Sequence, residues 1–212
     1  MGIFSQNSGF VKFVNRALDV LWLNILWIVF CLPIITIGAS TCAAYSVTLK
    51  MVDEEEGYIG RQFVKAFKDN FKQGTIMWLI TAPSIYLDFL MFQFILKGDD
   101  VHFLIIVGAI IYTALVVTSN LYTYPLIARY ENKLINMIKN SMAISVQFFG
   151  KTIFLCFLIL LEVLLILWNK WTLFVGILIG PEFIIYTVSG ISKRIFQKIE
   201  KGTSQSSGTI NQ

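Results

Sequence analysis

"FCLPIITIGAS", residues 30–40, decides the fold of this chain. It lies inside a run free of Asp, Glu, Lys and Arg that extends from Val20 to Leu49. A helix over that whole run would be about 45 Å long, against a bilayer core of roughly 30 Å. That is too long for one ordinary crossing and short for two. Pro33 lacks an amide hydrogen and Gly38 tolerates positive φ, so the chain between them can reverse direction. Two readings compete: one tilted, Pro-kinked helix, or a hairpin of two short spans over 20–37 and 38–52. After the turn, "GASTCAA" supplies small residues, which let helices approach closely in lipid.

The rest of the chain has the same character. Of 212 residues, 56% are hydrophobic and 14% charged, where a soluble domain carries about 25% charged. Mean hydropathy is +0.71. Long apolar runs (17–52, 75–96, 101–128, 152–168 and 171–192) alternate with short charged stretches. This composition predicts an all-α, polytopic transmembrane bundle forming a single domain over 1–201. The tail at 202–212, "GTSQSSGTINQ", has the bias of a disordered end. No segment is left for a soluble catalytic domain. The net charge of +4 does not point to nucleic acid, because the basic residues flank apolar runs, where they set membrane orientation. Cys31, Cys42 and Cys156 fall within apolar runs without ligand-like spacing and read as small apolar fillers. Gln6 stands where a myristoylation signal wants Ser or Thr. Lys12 and Arg16 before an apolar run resemble a signal peptide, but the run is long and four more follow, so an uncleaved first span is expected.

Basic residues arbitrate the span count. Lys50, Arg61, Lys65, Lys68 and Lys72 follow the first run, and Arg129, Lys133, Lys139 and Lys151 follow the third. Lys193, Arg194, Lys198 and Lys201 follow the last. Six spans place all of these on one side together with Lys12 and Arg16, leaving only Lys97 and Lys170 opposite. Five spans move Lys12 and Arg16 across. Six spans is the better fit, with both termini cytoplasmic and residues 30–40 an outer turn.

Two basic stretches are expected as cytoplasmic amphipathic surface helices. "GRQFVKAFKDNFKQ" (60–73) spaces Phe63, Phe67 and Phe71 at i, i+4, i+8, with Arg61, Lys65, Lys68 and Lys72 off that line. This pattern suits membrane-surface contact or partner docking, with Phe63, Lys65, Phe67, Lys68, Phe71 and Lys72 as the contact set. "ENKLINMIKNSMAISVQF" (131–148) is a weaker version. Tyr45 precedes Lys50, and Tyr124 precedes Arg129, at the same spacing before each stretch. Lys65 and Gln73 overlay Lys139 and Gln147. A twofold internal repeat of span, basic helix, span is therefore suggested, and such repeats are common in transporters. Phe10, Phe13 and Val14 share a helical face with Ala17, so a short surface helix is also expected before the first span.

Residues that carry chemistry are few. There is no nucleotide-binding loop, metalloprotease motif or nucleophile elbow. His102, the one histidine, stands beside Asp99 and Asp100 at a solvated turn, which leaves a Ser-His-acid hydrolase a single histidine to use. No enzyme, metal or cofactor is expected. The acids inside spans say more. Asp88, Glu162 and Glu182 lie roughly 10 to 20 Å from the nearer turns at 1.5 Å per residue. Glu182 follows Gly180 and Pro181, where a kink frees backbone carbonyls. An intramembrane acid faces the bundle interior or a wet cavity. The three read as a polar site for a proton, cation or polar solute, or as separately satisfied acids. Asn24 and Asn120 suit interhelical hydrogen bonding.

"LDVLWLNILWIVFCLPIITIGASTCAAYSVTLKMV" (18–52), "EEGYIGRQFVKAFKDNFKQGTIMWL" (55–79) and "YPLIARYEN" (124–132) resemble the YesL family of bacterial membrane proteins, also called domain of unknown function 624. That resemblance implies a small multi-span protein of the bacterial cytoplasmic membrane. Genes of this family often lie beside carbohydrate-uptake ABC transporters and glycan-degrading enzymes. A non-enzymatic accessory of carbohydrate uptake, partnered by ABC transporter components and membrane lipid, is what it implies. The family has no established activity, and it lends no role to Asp88, Glu162 or Glu182. A small transporter or channel using those acids is the alternative.

Overall fold

A computed structural model describes residues 9–53, 57–98 and 102–209 of the protein. Among them the order is α1 (Gly9–Cys31), a single 3-10 turn (Ile34–Thr36), α2 (Ile37–Val52), α3 (Ile59–Lys97), α4 (Phe103–Arg129), α5 (Leu134–Gln147), α6 (Phe149–Leu167) and α7 (Lys170–Thr209). No described residue is in a strand. Six segments are long and apolar enough to cross a membrane, and the stretch from Val14 to Val52 supplies two of them. The hairpin reading of residues 30–40 therefore holds.

The turn is built by local chemistry. Leu32 precedes a proline, which disfavours the helical region, and α1 stops at Cys31. Pro33 is extended, with φ −75° and ψ 112°. The last carbonyls of a helix have no intrahelical donor. Here Thr36 donates its hydroxyl to Phe30 O at 2.6 Å and Pro33 O at 2.7 Å. Trp27 Nε1 donates to Thr41 Oγ1 at 3.3 Å and ties the two legs together.

α2 is the centre of the bundle. Its packing on α3 is the most extensive between any two helices. Gly38 is what permits it: a Cβ there would lie 2.1 Å from Gly74 O, and one on Gly74 would lie 2.7 Å from Ala39 Cα. These contacts are backbone on backbone, which only the absence of a side chain allows. The short connection from Asp53 to Ile59 sends α3 back antiparallel, so its first turns run alongside α2.

That register changes the expected role of the first basic stretch. It is the opening part of α3, continuous with the apolar span, giving a helix of 39 residues that is about 58 Å long. Phe63 is fully buried. Phe30 packs edge-to-face on Phe63 at 5.3 Å and on Phe67 at 4.9 Å. The aromatic line thus faces α1, while Lys65, Lys68 and Lys72 stay exposed. The second stretch is a separate helix, α5, which packs on α4 with Met137, Ser141 and Ile144 buried. Ser141 donates to Thr118 O at 2.8 Å. Both stretches fold back along the preceding helix, and the proposed overlay puts buried Phe63 on buried Met137. Phe148, with φ −111° and ψ 40°, separates α5 from α6, where Gly74 lets α3 continue.

The remaining directions follow from side-chain pairs. Thr81 bonds Asn120, and Asp88 bonds Thr113, so α3 and α4 are antiparallel. Thr48 bonds Ser189 at 2.6 Å, and Asp53 pairs with Lys193, so α2 and α7 run parallel. α6 and α7 form a hairpin at Trp168 and Asn169. At the N-terminus, α1 is one helix from Gly9 and includes the residues expected as a separate surface helix. Residues 1–8 lie outside the described residues. α7 continues to Thr209, into the stretch expected to be a disordered tail, and 210–212 lie outside the described residues.

Candidate functional site

The site grows from Pro181. Proline at this position cannot donate to the carbonyl four residues earlier, Ile177 O, and its ring crowds the carbonyls of the preceding turn. In lipid those carbonyls need another donor. Asn24 of α1 supplies it, with Nδ2 at 2.6 Å from Leu178 O and 3.4 Å from Ile177 O. Asn24 is fully buried, so its amide serves as a fixed internal brace on the turn before Pro181.

Glu182 follows the proline directly. Its side chain is fully buried. Among the described residues neither carboxyl oxygen has a hydrogen-bond partner. It opens a stripe on α7 that continues through Ile185, Ser189, Ser192 and Phe196, all buried and spaced three or four residues apart. The stripe faces α1 and α2, where Cys31 and Tyr45 lie within electrostatic reach of the carboxyl. Asn24 Oδ1, on α1, is also buried and unpartnered among the described residues, and Ser40 Oγ of α2 is buried beside the Cys31 thiol. An ionised carboxylate buried without a partner costs several kcal/mol. This position therefore calls for a proton or a cation on the oxygens.

The other two acids sit elsewhere. Asp88 accepts from Thr113 Oγ1 at 2.8 Å and lines an apolar groove between α3, α4 and α6. Glu162 accepts from Thr187 Oγ1 at 2.7 Å and lines a groove of the α6–α7 hairpin. Asp88 and Glu162 thus each have a threonine on a neighbouring helix and do not share a groove. Glu182 differs from both in having no such donor. Asn120 accepts from Thr81 at 2.5 Å. Of the docking set, Phe63 is unavailable to a partner because its ring is buried, Phe67 is half-buried, and Phe71 is exposed with the three lysines. His102 is exposed at the start of α4, while Asp99 and Asp100 lie outside the described residues.

Sequence reading missed Ser40, Thr48 and Ser189. A serine or threonine in a helix can satisfy itself on its own backbone, as Thr48 also does on Ala44 O at 3.0 Å. Residue type alone therefore carries no signal of a bond between helices. The weak signal available was the density of small polar residues in α2.

Residues 20–92 match the family model described as "Protein of unknown function, DUF624". The matched stretch runs from α1 through the hairpin and α2 into α3. It contains Asn24, Gly38 and Gly74, and it ends well before Glu182. No curated protein and no solved structure matches the chain. The chain is an integral membrane protein similar over this stretch to a family without an assigned activity.

Proposed function

We propose that this protein binds a proton or a small cation at Glu182, as a small membrane transporter or channel for a polar solute or cation. The observation that carries this reading is a fully buried carboxyl with two unpartnered oxygens directly after Pro181 of α7. A kinked helix near the middle of a span is where transporters place ion and substrate sites. The reading narrows a three-acid site to one acid, because Asp88 and Glu162 already have hydroxyl donors. It assigns no catalytic role to any residue.

Infrared difference spectroscopy of the full chain in lipid nanodiscs tests it. The expected result is a carboxyl band that responds to pH or to added sodium or potassium. The band should be lost in Glu182→Gln and kept in Asp88→Asn and Glu162→Gln. A wild-type protein without such a band, or a Glu182→Gln variant that keeps it, ends the proposal. Flux in proteoliposomes should fall with the same variant.

A second reading rests on the exposed basic edge of α3. Lys65, Lys68 and Lys72 face away from the packed phenylalanines and suit a partner with an acidic surface. That agrees with a non-enzymatic accessory of carbohydrate uptake that works with ABC transporter components, a role suggested by family resemblance. Crosslinking from a cysteine in place of Lys68 in the native host checks it. Recovery of no transport subunit sinks it.

Both readings take the bacterial cytoplasmic membrane as the location, with both termini cytoplasmic. Leu32, 76% exposed on the hairpin turn, is the reporter of choice, since Thr36 is buried. In a chain lacking Cys31, Cys42 and Cys156, Leu32→Cys should react with an impermeant thiol reagent added to whole cells. Lys201→Cys should react only after permeabilisation. The reverse pattern inverts the orientation.

A further inference from the structure

At the end of the bundle where α4 gives way to α5, α7 passes behind α5 and leaves a cavity of about 680 Å³. We infer that this cavity binds a neutral polyhydroxylated solute, a mono- or disaccharide or a polyol of similar size. The inference is independent of Glu182, which does not line the cavity.

The wall on α5 carries Asn140 and Gln147, seven residues apart and so on one helical face. Both are exposed, and between them lies an apolar floor of Ala143 and Ile144, with Phe196 of α7 beneath. Phe196 is fixed edge-to-face against Tyr130 at 5.6 Å. Asn132 borders the opening, with its orientation set. Its Oδ1 accepts the Lys133 amide at 2.7 Å and Asn136 Nδ2 at 3.0 Å, so its own NH₂ is the group left to donate. Its backbone carbonyl is held by Gln73 Nε2 of α3 at 2.9 Å.

Glu200 completes the ring of polar groups and is also pinned. Arg129 Nη2 donates to its two oxygens at 3.1 and 3.2 Å, and Tyr130 OH donates at 2.5 Å. Burial, and then the bond to Glu200, push the Tyr130 phenol up to about 12, so it remains a neutral donor at physiological pH. The Arg129 guanidinium balances its charge.

The cavity thus offers amide donors, amide and carboxylate acceptors, and an apolar floor; the Glu200 charge is compensated by Arg129, and the second acid of the lining, Glu131, is exposed to water. Anions find no lysine or arginine among its lining residues, and an apolar ligand would strand the amides. Hydroxyl groups both donate and accept, and the C–H face of a sugar ring suits an apolar floor. The volume falls in the range of small-molecule sites.

The test is calorimetry on the full chain in nanodiscs with D-glucose, maltose and sorbitol, and with spermidine and inorganic phosphate as charged probes. Saturable binding of at least one of the three neutral solutes is expected. Asn140→Ala and Gln147→Ala should each weaken it about tenfold, the worth of one polar contact. Thermal unfolding of these unliganded variants should match wild type, because both side chains are exposed. Failure of all three neutral solutes to bind overturns the inference. So does wild-type affinity in both amide variants, or saturation by a charged probe alone.

Discussion

α2 and α6 are similar in length, 16 and 19 residues, yet they meet their surroundings in opposite ways. The apolar window of α2 is 72% buried and that of α6 is 11% buried. α2 reads "IGASTCAAYSVTLKMV", small and partly polar, whereas α6 reads "FGKTIFLCFLILLEVLLIL". In water the second would be the core helix. In lipid, burial is not driven by apolarity, because the tails are as apolar as leucine. Close packing and hydrogen bonds between helices decide instead. Hence the small helix sits in the middle and the greasy one at the rim.

The largest expected break of this contrast is Gly38→Ala. Its new methyl would meet the backbone of Gly74, which cannot step aside. A loss of about 2–3 kcal/mol is expected, read as thermal unfolding in detergent. Gly150→Ala is the control, since a Cβ there meets nothing within 4 Å, and it should leave stability unchanged or slightly raised. If the two behave alike, α2 is not held by close approach.

Asn24→Ala should come next, at about 1–2 kcal/mol, because it removes the donor to Ile177 O, which Pro181 leaves without a helical partner. The cost should shrink when combined with Pro181→Ala, which restores an amide hydrogen at 181. A double-mutant cycle measures this coupling, and a purely additive result would falsify the brace.

Thr48→Val removes the bond to Ser189 and should cost about 1 kcal/mol, in line with single hydrogen bonds between membrane helices. Loss of the same size from Ser189→Ala, with no further loss in the double variant, would confirm one shared bond. Smallest of all should be Phe157→Ala on α6. This ring is 59% exposed, and the change is expected to stay within about 0.5 kcal/mol. A large loss there would mean that α6 packs against something and is not a rim helix.

Much of the architecture was legible along the chain. Five apolar runs gave the spans, and the distribution of lysine and arginine resolved the first run into a hairpin. Pro33 and Gly38 located the turn. Periodicity also found the Phe63–Phe67–Phe71 line, but not what it faces. A basic amphipathic helix has the same pattern whether its apolar side meets lipid or a neighbouring helix. Gly74, which meets Gly38, decides for the neighbour.

The candidate site was half legible. Depth along the spans picked out Asp88, Glu162 and Glu182 alike, because each is an acid in an apolar run. Only the packing separates them, by giving Asp88 a donor in Thr113, Glu162 one in Thr187, and Glu182 neither. The cavity beside α5 left no mark in the sequence at all. Its polar groups come from two helices and the turn at Asn132, and amides on an exposed helical face look like any solvated surface.

The sequence by itself determined that this protein is an all-helical membrane bundle with a hairpin at residues 30–40. Hydropathy, charge placement and proline act locally, within one helix or one turn. The tertiary structure alone decided which helix is central, which acid is left without a donor, and where polar side chains converge on a cavity. Those outcomes depend on distances between residues far apart in the chain. In a medium as apolar as the side chains themselves, no hydrophobic pattern records such distances.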